Sequence, residues 1–132
     1  MKTKRILILE DDLKTLSALF EGLYRLEEKL LKKGVDLSLA LMSEYSQVEK
    51  YLSCVSRNDF DLVLLDRDCK ACGSFHVFDV EAFGPEKVIS ISSVPEYNEE
   101  ARKRGVDKIV YKDYSKLDEF IKELVELIEK TI

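Results

Sequence analysis

The chain has 132 residues, 45% of them hydrophobic and 36% charged. That is one ordinary globular domain, with apolar content too high for a disordered chain and length too short for two cores. Lys plus Arg number 21 and Asp plus Glu 26, so the formal charge of −5 argues against a surface that grips nucleic acid by itself.

The segment Arg5-Ile6-Leu7-Ile8-Leu9 is continuous and apolar, as a strand buried on both faces should be, and it stops at Glu10-Asp11-Asp12. Only four apolar residues follow Lys2, Lys4 and Arg5, so this is no signal peptide. Leu13, Leu16, Leu19, Phe20, Leu23, Leu26 and Leu30 recur at helical steps, with Asp12 as the expected cap and Gly34 as the stop. Val35, Leu37, Leu39 and Leu41 alternate with smaller or polar residues, which predicts a strand nearer a sheet edge. Ser46-Gln47-Val48-Glu49 has capping-box spacing and opens a second helix through Leu52 and Val55. Leu62 to Leu65 is a third strand, ending on Asp66. The stretch from Arg67 to Gly84 is irregular, with room for a short helix around Phe78 to Ala82 before Pro85. Val88 to Ile91 is a fourth strand, ending at Ser92-Ser93. Glu96 to Arg104 is a polar helix stopped by Gly105. Lys108 to Tyr111 is a fifth strand, ending at Lys112, and a last amphipathic helix opens at Ser115.

Five strands with helical crossovers imply a parallel sheet covered on both faces, whose ligands sit beyond the carboxyl ends of the strands. Glu10 and Asp11, Asp66, Ser92 and Lys112 follow the first, third, fourth and fifth strands. A parallel sheet gathers all of them on one edge. Three close carboxylates repel unless a cation joins them, and oxygen-only donors suit a hard ion such as Mg²⁺. A lysine and a hydroxyl beside that ion suit a phosphoryl group, which a carboxylate can accept as nucleophile. Each residue alone also has a bland reading, as turn, cap or solvated charge; the joint placement carries the argument.

On these residues the chain resembles the receiver domain of two-component response regulators, the chemotaxis-type, single-domain regulators of the CheY-like superfamily. The resemblance rests on Ile-Leu-Glu-Asp at 8–11, Leu-Val-Leu-Leu-Asp at 62–66, Ile-Ser-Ile-Ser-Ser at 89–93, and Gly105 through Lys112. It implies an α/β, doubly wound, flavodoxin-like fold with strand order 2-1-3-4-5, filling residues 1–132 as a single receiver with no output domain. It implies that Glu10, Asp11, Asp66 and the backbone carbonyl of Asp68 hold Mg²⁺. Asp66 is then the phosphoacceptor, Ser92 the switch hydroxyl and Lys112 the phosphoryl contact. The implied partners are a sensor histidine kinase or phosphotransfer protein, a downstream protein target, and a second copy in a homodimer formed on phosphorylation. Neither nucleic acid nor membrane is an implied partner. Such a domain is a phosphoacceptor with self-phosphorylation and autodephosphorylation, not an enzyme in the ordinary sense.

Several positions depart from the family pattern. Cys69-Lys70 stands where a Met-Pro pair is usual, and the segment from Asp66 to the fourth strand is short. Asp113 replaces the usual proline after the lysine, so a cis bond is not expected there. Ile109 fills the aromatic switch position, with Tyr111 two residues on. These changes touch readout more than chemistry, and they leave a pseudo-receiver scaffold, folded alike but unphosphorylated, as the alternative. The three cysteines, Cys54, Cys69 and Cys72, are an odd number, which fits a reducing cytoplasm. Cys69-x-x-Cys72 with His76 admits a redox or metal role, but no second pair completes a zinc set, and packing in an irregular loop is favoured. A flavodoxin-like carrier is disfavoured, because no Gly- or Ser-rich phosphate loop follows the first strand.

Overall fold

A computed structural model describes residues 1–44, 48, 50–51, 56–67 and 78–132. Its five strands are β1 (Lys2–Leu9), β2 (Val35–Met42), β3 (Leu62–Leu65), β4 (Val88–Ser90) and β5 (Lys108–Ile109). Four helices are described: α1 (Leu13–Leu31), α2 (Val80–Phe83), α3 (Pro95–Lys103) and α4 (Leu117–Thr131). The strands form one parallel sheet in the order β2-β1-β3-β4-β5, as expected.

Alternation along the strands divides the interior into two cores. Ile6 and Ile8 of β1, Leu62 and Leu64 of β3, and Ile89 of β4 pack against α1 and α4, through residues such as Leu19, Leu23, Leu124 and Ile128. Leu7, Leu9, Val63, Leu65 and Val88 face the other way, onto Val80, Phe83, Ala101 and Val106 around α2 and α3. Because β3 and the Ile6–Leu9 half of β1 are buried on both faces, they read as unbroken apolar runs. Edge strand β2 is only partly covered on each face, with Val35 and Leu37 packed on one core, Ala40 and Met42 on the other, and Leu39 and Leu41 left exposed.

Local chemistry sets the ends. Asp12 caps α1, its Oδ2 accepting from the Thr15 N–H at 3.0 Å and the Thr15 hydroxyl at 2.5 Å. Gly34, at φ +76°, makes the left-handed turn into β2. Pro95 opens α3 in the first turn, where its missing N–H costs nothing, one residue earlier than the polar pattern suggested. A 3-10 turn at Tyr114–Lys116, capped by Asp113, precedes α4, so the last helix begins at Leu117 and not at Ser115. The regular ladders of β4 and β5 stop sooner than their apolar runs, yet single hydrogen bonds carry on past both ends. Ile91 N–H donates to Leu65 O, Val110 N–H to Ser90 O and Lys112 N–H to Ser92 O.

Helix α2 is one turn long and ends at Gly84, φ +98°, ahead of Pro85. Of the expected second helix, Val48, Lys50 and Tyr51 are helical; Ser46, Glu49, Leu52 and Val55 lie outside the described residues. No helix among the described residues is long and apolar enough to cross a membrane.

Candidate functional site

The carboxyl ends of β1 and β3 bring two acids together. Glu10 follows β1, with its N–H donating to Met42 O, and Asp66 follows β3, with its N–H donating to Leu9 O. Glu10 turns back on the start of α1, where its Oε2 accepts from the N–H groups of Asp11 at 2.9 Å and Asp12 at 3.0 Å. Those bonds orient the carboxylate and leave Oε1 aimed across the sheet edge.

Lys112 meets it there. Its Nζ donates to Glu10 Oε1 and to Asp66 Oδ2, each at 2.5 Å, and all three side chains are buried. The Tyr114 ring lies over the ammonium at 5.3 Å. Half-buried Asp11 completes the acidic set, with carboxylate oxygens of Glu10, Asp11 and Asp66 all within 4.8 Å of one another.

The electrostatics follow from burial. Asp66 is pushed up to about 8, first by desolvation and then by the neighbouring charge of Glu10, against the opposing pull of Lys112. Desolvation works against the charge on Lys112, yet Asp66 and Glu10 together hold its ammonium above the ordinary lysine range. Two carboxylates share one ammonium, so the cluster retains a proton until another cation arrives. Oxygen-only donors at this spacing fit a hard divalent ion, as the sequence suggested.

Ser92 is fully buried beside this cluster's strand ends, its carbonyl accepting from the Lys112 N–H at 3.3 Å. Its Oγ accepts from Val94 N–H at 3.0 Å. A buried amide on α3 grips its backbone: Asn98 Oδ1 accepts from Ser92 N–H at 3.2 Å, and Asn98 Nδ2 donates to Ser92 O at 3.0 Å. The Ser90 hydroxyl donates to the same Oδ1 at 2.6 Å. Arg67, next to Asp66, ties the other side of α3, stacking over the Tyr97 ring at 4.8 Å and pairing with Glu100.

No family model matches the sequence, and no curated protein does. Solved structures do match. The response regulator receiver domain from Rhodospirillum rubrum is 15% identical at a TM-score of 0.63, over 96% of this chain and 94% of that one. The Mn²⁺-bound form of response regulator Rcp1 is 16% identical at 0.67, over 96% and 92%. The bacteriophytochrome response regulator AtBRR is 19% identical at 0.56, over 94% of each chain. The chain has the receiver fold.

In this receiver fold Glu10, Asp11, Asp66 and Lys112 converge at one sheet edge, and Ser92 sits one strand end away from Lys112. Asp68, Cys69, Lys70, Cys72 and His76, with Cys54, lie outside the described residues. Ile109 packs half-buried against the α2–α3 core, and Tyr111 is exposed. The described residues hold no cis peptide bond. Ser90, Asn98, Arg67 and Tyr114 were not singled out from the sequence. None of the four carries a local signal in the sequence; Asn98 lies among polar residues in a helix with almost no apolar face.

Proposed function

We propose that this receiver fold accepts a phosphoryl group on Asp66 from a phosphohistidine of a sensor histidine kinase or phosphotransfer protein, and signals to a partner protein by a conformational switch. The observation that supports this reading most directly is the convergence of three carboxylates with one buried lysine at the carboxyl edge of the sheet.

In the proposed transfer an Asp66 carboxylate oxygen attacks phosphorus as the P–N bond to imidazole breaks, in line and with charge spread over the phosphoryl oxygens. Glu10, Asp11 and Asp66, with the carbonyl of Asp68 from the resemblance, are the proposed holders of Mg²⁺, which when bound neutralises charge on the acids and the phosphoryl group. Lys112 then trades its carboxylate contact for a phosphoryl oxygen. Ser92 donates its hydroxyl to another, releasing the Val94 N–H it now serves. Because Asn98 holds the Ser92 backbone, that movement is carried into α3, and a pre-existing equilibrium between two positions of this element is biased. Hydrolysis of the acyl phosphate by water resets it. We assign residues 1–132 to this one receiver unit.

Incubation with a small acyl phosphate and MgCl₂ tests the reading. The expected result is a single base-labile phosphoryl adduct, lost in Asp66→Asn and without magnesium. No adduct under saturating donor overturns it. One observation favours a second reading, a scaffold that is never phosphorylated: the Lys112 ammonium already bridges Glu10 and Asp66. That scaffold predicts partner binding unchanged by Asp66→Asn.

A further inference from the structure

Beyond the site, the side of the molecule where α1 meets β2 carries an apolar surface that no other described element covers. Leu13, Phe20, Tyr24 and Leu31 follow one another at steps of seven, four and seven, a stripe along α1. The stripe faces the β2 side, because Glu27, in the same row, reaches across to accept the Leu37 N–H at 3.1 Å. Leu39 and Leu41 extend this surface. They stand in register with Ile6 and Ile8, on the same face of the sheet, but beyond the shelter of α1, and each remains 42% exposed.

The backbone of β2 is open along the same line. Lys2 N–H donates to Gly34 O, and Glu10 N–H to Met42 O. The even-numbered residues of β2 therefore turn their peptide groups toward β1, and the odd-numbered ones turn theirs outward. Glu27 covers the outward N–H at Leu37. From Leu37 through Ser43 no charged side chain guards the rest. Edge strands in stable monomers are guarded by lysine, proline or a bulge; this one pairs with β1 in unbroken register and is apolar and, among the described residues, unblocked at Leu39 and Leu41.

We propose that this face is a homodimer interface, in which β2 pairs antiparallel with β2 of a second copy. A strand edge is self-complementary about a two-fold axis, so one open edge is enough. The pairing makes a continuous ten-stranded sheet and sets the two α1 helices side by side over the seam. Packed helices lie about 8–10 Å apart, close to two strand spacings of about 4.8 Å, so the helix stripes close together as the strands join. Exposure from 38% at Phe20 to 75% at Leu13 leaves on the order of 600 Å² of mainly apolar surface per copy. Two such faces reach the lower bound of about 1,200 Å² for a specific interface. The proposal stands whether or not Asp66 accepts phosphate.

Sedimentation of the full chain over a wide concentration range, without acyl phosphate, tests it. The wild type is expected to form a dimer. Leu39→Lys places a charge in the seam, and Leu41→Pro removes an outward N–H that β1 does not use. Each is expected to weaken association by roughly 100-fold while circular dichroism stays native. If Leu41→Pro unfolds, Leu39→Lys decides. A wild type that stays monomeric at every concentration overturns the proposal, and so does a dimer indifferent to Leu39→Lys.

Discussion

Removing the Lys112 ammonium is the sharpest perturbation of the site. Lys112→Met keeps the length and apolar stem of the side chain and deletes only the charge that bridges Glu10 and Asp66. Carboxylate oxygens within 4.8 Å of each other then face one another without a counter-ion. At an effective dielectric of about 20, that repulsion is worth about 3–4 kcal/mol. Breaking a buried pair by deleting one partner costs about 3–5 kcal/mol, in line with the same figure. The loss should be read by urea denaturation in a chelating buffer at about pH 10, because without the pull of Lys112 the Asp66 carboxyl holds its proton to still higher pH and the full repulsion is felt only once it ionises. Adding Asp66→Asn removes one of the two charges. Glu10 keeps its bonds from the Asp11 and Asp12 N–H groups, so the double variant should recover about 2 kcal/mol or more of the loss. Millimolar MgCl₂ should recover part of it in the single variant as well. A loss below about 1 kcal/mol, or strict additivity of the two substitutions, would refute the argument that this ammonium neutralises a buried acidic pair.

The remaining predictions concern the same neighbourhood. With Asp66 raised to about 8 by burial, the folded chain keeps a proton that the unfolded chain gives up near pH 4. Stability without metal should therefore fall as pH rises from about 4 to about 8, then level off, and Asp66→Asn should flatten the profile; urea midpoints at pH 5, 7 and 9 measure this. A divalent ion favours the ionised carboxylate, so calorimetry should find Mg²⁺ affinity rising with pH toward 8 and proton release on binding at pH 7. Asn98→Leu leaves the Ser90 hydroxyl and the Ser92 N–H buried without their partner, while Ser92 O keeps the Lys112 N–H, a loss of about 2–3 kcal/mol; Asn98→Asp keeps the acceptor and should lose less. The opposite ranking in denaturation would remove Asn98 from its role in holding Ser92.

The acids, the hydroxyl and the lysine were legible because each follows a strand. A strand buried on both faces announces its own end when the apolar run meets a charge, as at Leu9–Glu10 and Leu65–Asp66. Strand order was legible only through the resemblance, since periodicity says nothing about which parallel neighbours pair. What stayed hidden was contact between elements distant in sequence. Nothing in the spacing distinguishes Asn98 from the exposed polar residues around it in α3, because its burial is created by β4 and not by a helical stripe. Glu27 reads as one more surface acid of α1 until Leu37 is folded beneath it. The ends of β4 and β5 were overestimated for a related reason. Apolar residues continue beyond the regular ladder, where the chain leaves the sheet but remains under the helices.

The bond between Glu10 and Lys112 joins residues 102 positions apart, and Asp66 lies 46 before Lys112. Lys112 arrives on the far side of β5, a strand of two residues and the briefest in the sheet. Contacts of such long sequence separation form late in folding, after the loops between them have closed. Until β5 docks, Glu10 and Asp66 have no ammonium between them, and the phosphate chemistry proposed for this edge has no lysine to engage. Competence is thus tied to completion. A chain in which β5 and α4 have not yet emerged from synthesis, or have transiently opened, lacks the lysine at its acidic edge, and local opening at this margin of the sheet is enough to disarm the whole site.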